Sequence, residues 1–229
     1  MYTDRITISS TAQVSHLQNG NELSGKDEPA VRTLTGPAHW ELFKYITRVS
    51  GLALSDEEKT ILAGCVKFKK LRKRQYFLQE GDVCRYTGFI IKGSTRMFSI
   101  NDRGQESIVA FGLEHSWVGD QQSFKAGTAS LYHIEAMENT ELLIMNNTQM
   151  EFLISTVPAV AMMFSNYQIQ QLIYNQNRIN AALSMTIQER YYNLMKSCPN
   201  YAQRFSQHMI ACYLGVKAET LCRIRKSKI

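Results

Sequence analysis

From Cys65 to about Asn146 apolar residues recur at every second position, whereas on both sides of that stretch they recur every third or fourth. A period of two is the signature of half-buried strands, and a period near 3.6 is that of amphipathic helices. The alternating segments are CVKFKKL (Val66, Phe68 and Leu71 against Lys67, Lys69 and Lys70), QYFLQ, TGFIIKG, STRMFSI, QESIVAFG, LYHIEAM and TELLIMN. EGDVC and NDRG separate some of them as turns. Short strands at regular spacing, joined by Gly and Asp turns, predict an antiparallel sandwich or roll. The basic residues from Lys67 to Arg74 are expected on a solvated strand face.

The flanks read as helices. AHWELFKYITRVS carries Trp40, Phe43, Ile46 and Val49 at three-residue steps. In SDEE, Ser55 and Glu58 are placed to form a capping box that opens a second helix, with Ile61 and Leu62 on its apolar face and Gly64 at its end. A long helix is expected from about Pro158 to Ser184, with Pro158 suited to its first turn. Met162, Ile169, Gln176 and Leu183 are seven apart; Ser165, Leu172 and Ile179 form a second series three residues on. Two such series make an a/d seam over about three heptads, which favours a contact with a second copy of the chain, a helix packed on its own domain being the alternative. A shorter helix, TIQERYYNLMKSC, presents Tyr191, Leu194 and Met195, and CPNY breaks it. Residues 1 to 36 are polar and Gly- and Pro-bearing, a loosely structured leader. The expected division is a leader at 1–36, a roll at 37–157, a dimerisation helix at 158–184 and an all-α unit at 185–229. The fold class is therefore α+β.

Charge singles out the last unit. The net charge is +6. Residues 186–229 hold eight basic and two acidic side chains, so they carry the whole excess. A neutral front and a basic tail predict an anionic partner for the tail. No run of about 18 apolar residues points to a membrane span, and MYTDRITISSTAQVSHLQNG lacks the pattern of a signal peptide. The expected compartment is the cytoplasm. Five cysteines are scattered without a CxxC, and five histidines stand apart, which argues against a disulfide framework or a structural metal site. No nucleophile–base pair or phosphate loop appears. Ser123, Ser130, His115 and His133 share no chemistry by spacing, so an enzyme is not expected.

The closing stretch, IACYLGVKAETLCRIRKSKI, fits a helix-turn-helix. With Gln207 as first position, Ala211 is fifth, where crossing helices admit only a small side chain, and Gly215 is ninth, where the turn needs a positive φ. Ile210, Leu214, Val216, Leu221 and Ile224 fall at core positions. The second helix would present Lys217, Glu219, Thr220, Arg223, Arg225 and Lys226, with Lys228 nearby. Arg can bind guanine O6 and N7 with two hydrogen bonds, and Glu can accept from cytosine N4; Thr220 and Lys226 suit phosphates.

A roll, a heptad helix and LGVKAETLCRIRK together resemble the Crp/Fnr family of bacterial transcription regulators. YFLQEGDVCRYTGFIIKGSTRMF is similar to the early strands of that family's cyclic-nucleotide-binding-type domain, with Gly81 and Gly93 at its turns. WVGDQQSF and IEAMENTELL resemble the segment around its ligand pocket, so Gly119, Asp120, Ser130, Leu131, Tyr132 and His133 are the candidate pocket residues. The resemblance spans roughly Trp40 to Lys228. It implies a homodimer on partly palindromic double-stranded DNA, with Met162, Ile169, Leu172, Gln176, Ile179 and Leu183 in the dimer helix, and leaves RNA polymerase open as a further partner. Two departures from the family pattern qualify it. Members that bind cyclic AMP place Gly-Glu before a short helix and an Arg followed by a small hydroxyl residue after it. Here those pairs are Gly119-Asp120 and Ser130-Leu131, so cyclic AMP binding is not expected, and any effector is unidentified. Cluster-bearing members carry a cysteine group near the N-terminus; none precedes Cys65, and no haem ligand is matched. Many members also continue into a β-hairpin wing. The sequence ends at Ile229, so a short form is expected, a chain cut at the wing being the alternative. A small-molecule or protein-binding roll that has lost DNA binding remains the rival reading of the whole chain.

Overall fold

The computed structural model describes residues 36–226. The expectations for the leader up to Thr35 and for Lys228 lie outside the described residues. Two helices come first, α1 (Pro37–Ser50) and α2 (Asp56–Cys65). The expected capping box opens α2: Ser55 Oγ accepts from the Glu58 amide, and Glu58 accepts from the Ser55 amide. Helix α1 buries Leu42, Phe43, Tyr45 and Ile46. Trp40 was expected on that face but is exposed, packed edge-on against Phe43 with Lys59 above its ring. Its position lies beyond the 100°-wide stripe that Leu42, Phe43 and Ile46 occupy.

The alternating stretch forms two four-stranded antiparallel sheets. The strands are β1 (Lys67–Leu71), β2 (Tyr76–Leu78), β3 (Thr87–Lys92), β4 (Thr95–Ile100), β5 (Glu106–Gly112), β6 (Trp117–Val118), β7 (His133–Ala136) and β8 (Thr140–Met145). One sheet has the order β1-β8-β3-β6, the other β2-β7-β4-β5. Neighbouring sheet strands far apart in sequence, such as β1 with β8, are what makes this a roll rather than a meander. Phe89, Ile90, Ile134, Leu142 and Leu143 are fully buried in the shared core. Phe68 departs from its expected inward place. It shares the outer face of β1 with Lys70, two residues on, whose Nζ lies 5.5 Å over its ring. Arg96 on β4 spans its sheet, holding Glu106 of β5 and Glu135 of β7. That cross-strand triad fixes register.

Gly93 is required where β3 turns into β4. Its φ is +102°, and a Cβ there would stand 2.7 Å from the Thr140 Cα. Between β6 and β7 a short helix, α3 (Gln121–Ala126), interrupts the roll. After β8 comes α4 (Asn147–Thr156), which the period did not predict, capped reciprocally by Asn146 and Gln149. The long helix α5 runs Pro158–Ser184 with Pro at its first turn. It packs its N-terminal half on α1 and α4 through Ala159, Val160 and Met163. Four helices close the described residues: α6 (Ile187–Ser197), α7 (Tyr201–Arg204), α8 (Gln207–Leu214) and α9 (Ala218–Lys226). Helix α7 lies where only a break was expected.

Candidate functional site

The last two helices assemble as the spacing requires. Ser206 caps α8, its Oγ accepting from the Met209 amide. Gly215 ends α8 with φ +72°, and the Val216 amide reaches back to the Ala211 carbonyl at 2.9 Å. That left-handed cap turns the chain sharply into α9. Ile210, Ala211, Leu214 and Leu221 are buried in one cluster with Tyr191 of α6 and Phe205, while Val216 and Ile224 pack at its edge. Ala211 is 1 % exposed at the crossing, so no larger side chain fits without moving a helix. Arg190 of α6 donates to the Leu214 carbonyl at 2.6 Å, answering one of the acceptors left over at the end of α8.

Helix α9 then presents its polar face to solvent. Lys217, Glu219, Arg223, Arg225 and Lys226 are exposed, and Thr220 is half-buried. Glu219 and Arg223, one turn apart, form no ion pair with each other among the described residues. Both are therefore free to meet an external group. This is a cationic helix face with one acceptor in it, mounted on a packed helix pair.

The six pocket candidates divide differently. Asp120 is the N-cap of α3: its Oδ1 accepts from the Gln122 and Ser123 amides at 3.1 and 3.4 Å. Its Oδ2 accepts from Ser130 Oγ at 2.8 Å. Ser130 Oγ in turn accepts from the Tyr132 amide. Both residues are buried, so the carboxylate expected at the ligand is already committed to closing the loop around α3. Leu131 is 68 % exposed, pointing away from the core. His133 stacks on Phe98, accepts from the Glu80 amide through Nδ1, and faces the Glu80 carboxylate through Nε2. Of the six, only Gly119 lines the cavity between the roll and α5.

That cavity, about 770 Å³, opens between the roll and the middle of α5. Tyr45, Trp117 and Tyr167 form its aromatic wall, Gln168, Gln171 and Asn175 its amide wall on α5, and His115 and Lys125 its basic corner. Burial pushes the Tyr167 phenol up to about 12, and raises that of Tyr45 against the lowering effect of Trp117 and Arg48. The Trp117 indole lies near enough to act on Tyr45, yet its buried Nε1 makes no hydrogen bond of ordinary geometry. A buried donor left unpaired costs stability and is an available point of attachment. Spacing did not single out Trp117, Tyr45 or Tyr167, because they come from three elements joined only by the fold.

The roll and the terminal helices also meet. The Phe111 ring of β5 stacks on Phe205 with centroids 3.9 Å apart and touches Tyr201 and Tyr213. Arg204 forks onto Glu114, at 3.0 and 3.2 Å, and onto Glu138, at 3.1 Å from Nε. Desolvation raises both carboxyl pKa values, but at Glu114 the Arg204 hydrogen bond with the Gly93 amide, and at Glu138 the Ser94 hydroxyl followed by Arg204, outweigh it, and both end below the ordinary carboxylate range. Depressed carboxylates stabilise at neutral pH and lose that contribution as pH falls through their folded values.

Replacing Asp120 with Ala removes a helix cap, worth about 0.5–2 kcal/mol, and leaves the buried Ser130 hydroxyl only its longer contact to the Tyr132 carbonyl at 3.3 Å in place of a carboxylate at 2.8 Å, a loss of about 1.5–3 kcal/mol for a hydrogen bond to a charged group. For a chain of this length a Tm lower by roughly 5–15 °C is expected in a thermal melt. A melt unchanged within a degree would return Asp120 to the list of free, ligand-holding groups.

Among the described residues no single helix is long and apolar enough to cross a membrane, and no group of three His, Cys, Asp or Glu residues converges as for a metal ion.

Comparison with known proteins agrees with this architecture. Residues 68–157 match the cyclic nucleotide-binding domain family. The regulatory protein HlyX of Actinobacillus pleuropneumoniae is 25 % identical over 75 % of this chain and 75 % of its own. FixK2 from Bradyrhizobium japonicum has the same fold with a TM-score of 0.61 at 18 % identity, covering 70 % of this chain and 83 % of that one. The regulator CLP of Xanthomonas campestris gives 0.62 at 13 %, covering 75 % and 90 %. The chain thus carries a cyclic nucleotide-binding-type roll over residues 68–157, followed by a long helix and a terminal helix-turn-helix, and along three quarters of its length it is similar to a regulatory protein.

Proposed function

We propose that the protein is a homodimeric regulator that reads a partly palindromic DNA site with one α9 per half-site. The observation that carries this reading is the solvent-facing Glu219/Arg223 surface on a helix pair whose core and turn are complete. Were that face turned into the protein, the rival reading, a roll without DNA binding, would gain; its exposure counts against that rival. The seam on α5 supports the dimer. Met162, Ile169, Leu172, Ile179 and Leu183 are all exposed large apolar side chains in one chain, along with the polar Gln176. A soluble helix leaves such a row unpartnered only where another surface covers it. Selection of duplexes from a randomised, partly palindromic pool tests the reading. Recovery of a two-fold related motif supports it; recovery of no motif above background rejects it.

The roll is proposed to respond to a small molecule other than cyclic AMP, held in the cavity between roll and α5. Asp120 is spent on its own loop, and Ser130 and Leu131 supply no cation for a cyclic phosphate. A buried phosphate without its charge-assisted partner loses a contact about twice as strong as a neutral hydrogen bond. Isothermal titration with cyclic AMP is expected to give no heat of binding up to millimolar ligand. A micromolar isotherm would contradict the assignment.

A further inference from the structure

The basic run that opens the roll does not lie wholly in solvent. Lys67 and Lys70 of β1 are exposed, but Lys69 between them is half-buried, its Nζ 5.5 Å or less from a ring: it lies 5.4 Å from the centre of Phe77. Strands β1 and β2 are each the edge strand of their sheet, so this contact joins the two sheets at one corner of the roll. Phe77 reaches that corner because β2 is bulged there. Tyr76 pairs with Glu135 and Leu78 with Ile134, neighbouring residues of β7, so Phe77 between them has no partner across the ladder. A bulge of this kind re-aims the side chain it carries.

The loop from β2 to β3 closes the corner into a cleft of about 400 Å³. Phe77, Leu78, Val83 and Tyr86 give it apolar walls, and Lys69 and Arg85 give it cations. It shares no lining residue with the cavity beside α5. The loop wall is tied down. The Gly81 amide donates to the Ser130 carbonyl and the Ser130 amide to the Asp82 carbonyl, both at 2.9 Å. The Cys84 amide donates to Ser123 Oγ at 2.8 Å. A wall held this closely loses little freedom when a ligand arrives.

Charge decides what fits. Among the described residues neither Lys69 nor Arg85 has an ion-pair partner. Lys69 is already partly stripped of water by the Phe77 ring, so an anion meets it at a reduced hydration cost. Asp82 is the one carboxylate among the lining residues, and two cations against it leave the cleft with a net charge of +1. Small-molecule sites run from about 300 to 1,000 Å³, so this cleft suits a ligand of one or two rings. Two aromatic walls favour a flat ring over a flexible chain.

We infer that this cleft is a small-molecule site separate from the cavity beside α5, for a monoanionic aromatic carboxylate: Lys69 and Arg85 hold the carboxylate, and Phe77 and Tyr86 take the ring. The inference goes beyond DNA reading and depends on neither α9 nor a dimer.

Isothermal titration of the full chain with 2-naphthoate is the test, with 2-naphthamide as the neutral isostere. The acid is expected to bind saturably with a submillimolar Kd, and the amide at least about ten-fold more weakly. Lys69→Gln and Arg85→Gln should each weaken binding of the acid by about ten-fold or more, the loss of a charge-assisted hydrogen bond. Asp82→Asn should tighten it by about two- to five-fold, because a like charge leaves the rim. A purely structural role would not move affinity in opposite directions within one loop. Lys125→Gln, in the basic corner of the cavity beside α5, should leave the affinity unchanged. Absence of saturable heat, or equal affinity for acid and amide, overturns the proposal. So does binding that Lys125→Gln abolishes while Lys69→Gln and Arg85→Gln leave it intact, since that ligand lies beside α5.

Discussion

A chain carrying Ile169→Glu and Ile179→Glu is expected to sediment as a monomer at micromolar concentration and to lose at least about a hundred-fold in affinity for its DNA site. The two isoleucines are 53 and 62 % exposed in the single chain, and neither lines the cavity. Covering each removes apolar area worth about 1.5–3 kcal/mol per side chain, counted on both copies. A glutamate at these positions forfeits that gain and sets like charges against each other across the seam. Loss of the second reading head then removes the bivalent gain, about 10²–10⁴. Because both positions face solvent in the monomer, far-UV circular dichroism should keep its helical and sheet signature. A variant that remains dimeric by analytical ultracentrifugation would place the interface elsewhere.

Arg223→Ala is the second large effect. Arg223 is exposed on α9, without an ion pair to Glu219, and Arg is the side chain that reads guanine with two hydrogen bonds. Each base contact discriminates by about 1–3 kcal/mol, and a dimer carries two such contacts. The specific site should therefore weaken by roughly 30-fold or more, while binding to a scrambled duplex changes only a few-fold, since phosphate contacts carry that term. Lys226→Ala should behave in the opposite way, weakening both duplexes equally and reducing the salt slope by about one unit per half-site. Competition titrations with specific and scrambled duplexes separate the two outcomes.

The helix-turn-helix was legible because its constraints are local. Ala211 must be small and Gly215 must take a positive φ, and both demands fall on the residue type itself. The long helix α5 was legible from its period and its first-turn Pro158, and it leaves Ile169, Leu172 and Ile179, spaced as a seam, exposed in the single chain. Helix α4 was missed although its Asn146–Gln149 capping box stands in the sequence, because TELLIMN runs into it without a break in apolar content. Asp120 was placed beside a ligand on the strength of resemblance. A carboxylate two or three residues before backbone amides at a helix start is also a cap, and here the cap takes it. The cavity wall and the Arg204 fork lay beyond any local reading. Arg204 is 90 residues from Glu114 and 66 from Glu138, and no period or motif links them.

The central claim is that α9 reads sequence, and fluorescence anisotropy tests it most directly. The wild-type chain and Arg223→Ala would be titrated against a duplex selected from the palindromic pool and against its scrambled counterpart, each at two salt concentrations. The account predicts a specificity ratio of at least about 10³ for wild type that persists as salt rises and collapses in Arg223→Ala. Weak binding that falls steeply with salt and is equal for both duplexes and both proteins would contradict it, leaving the basic helix as a generic polyanion contact.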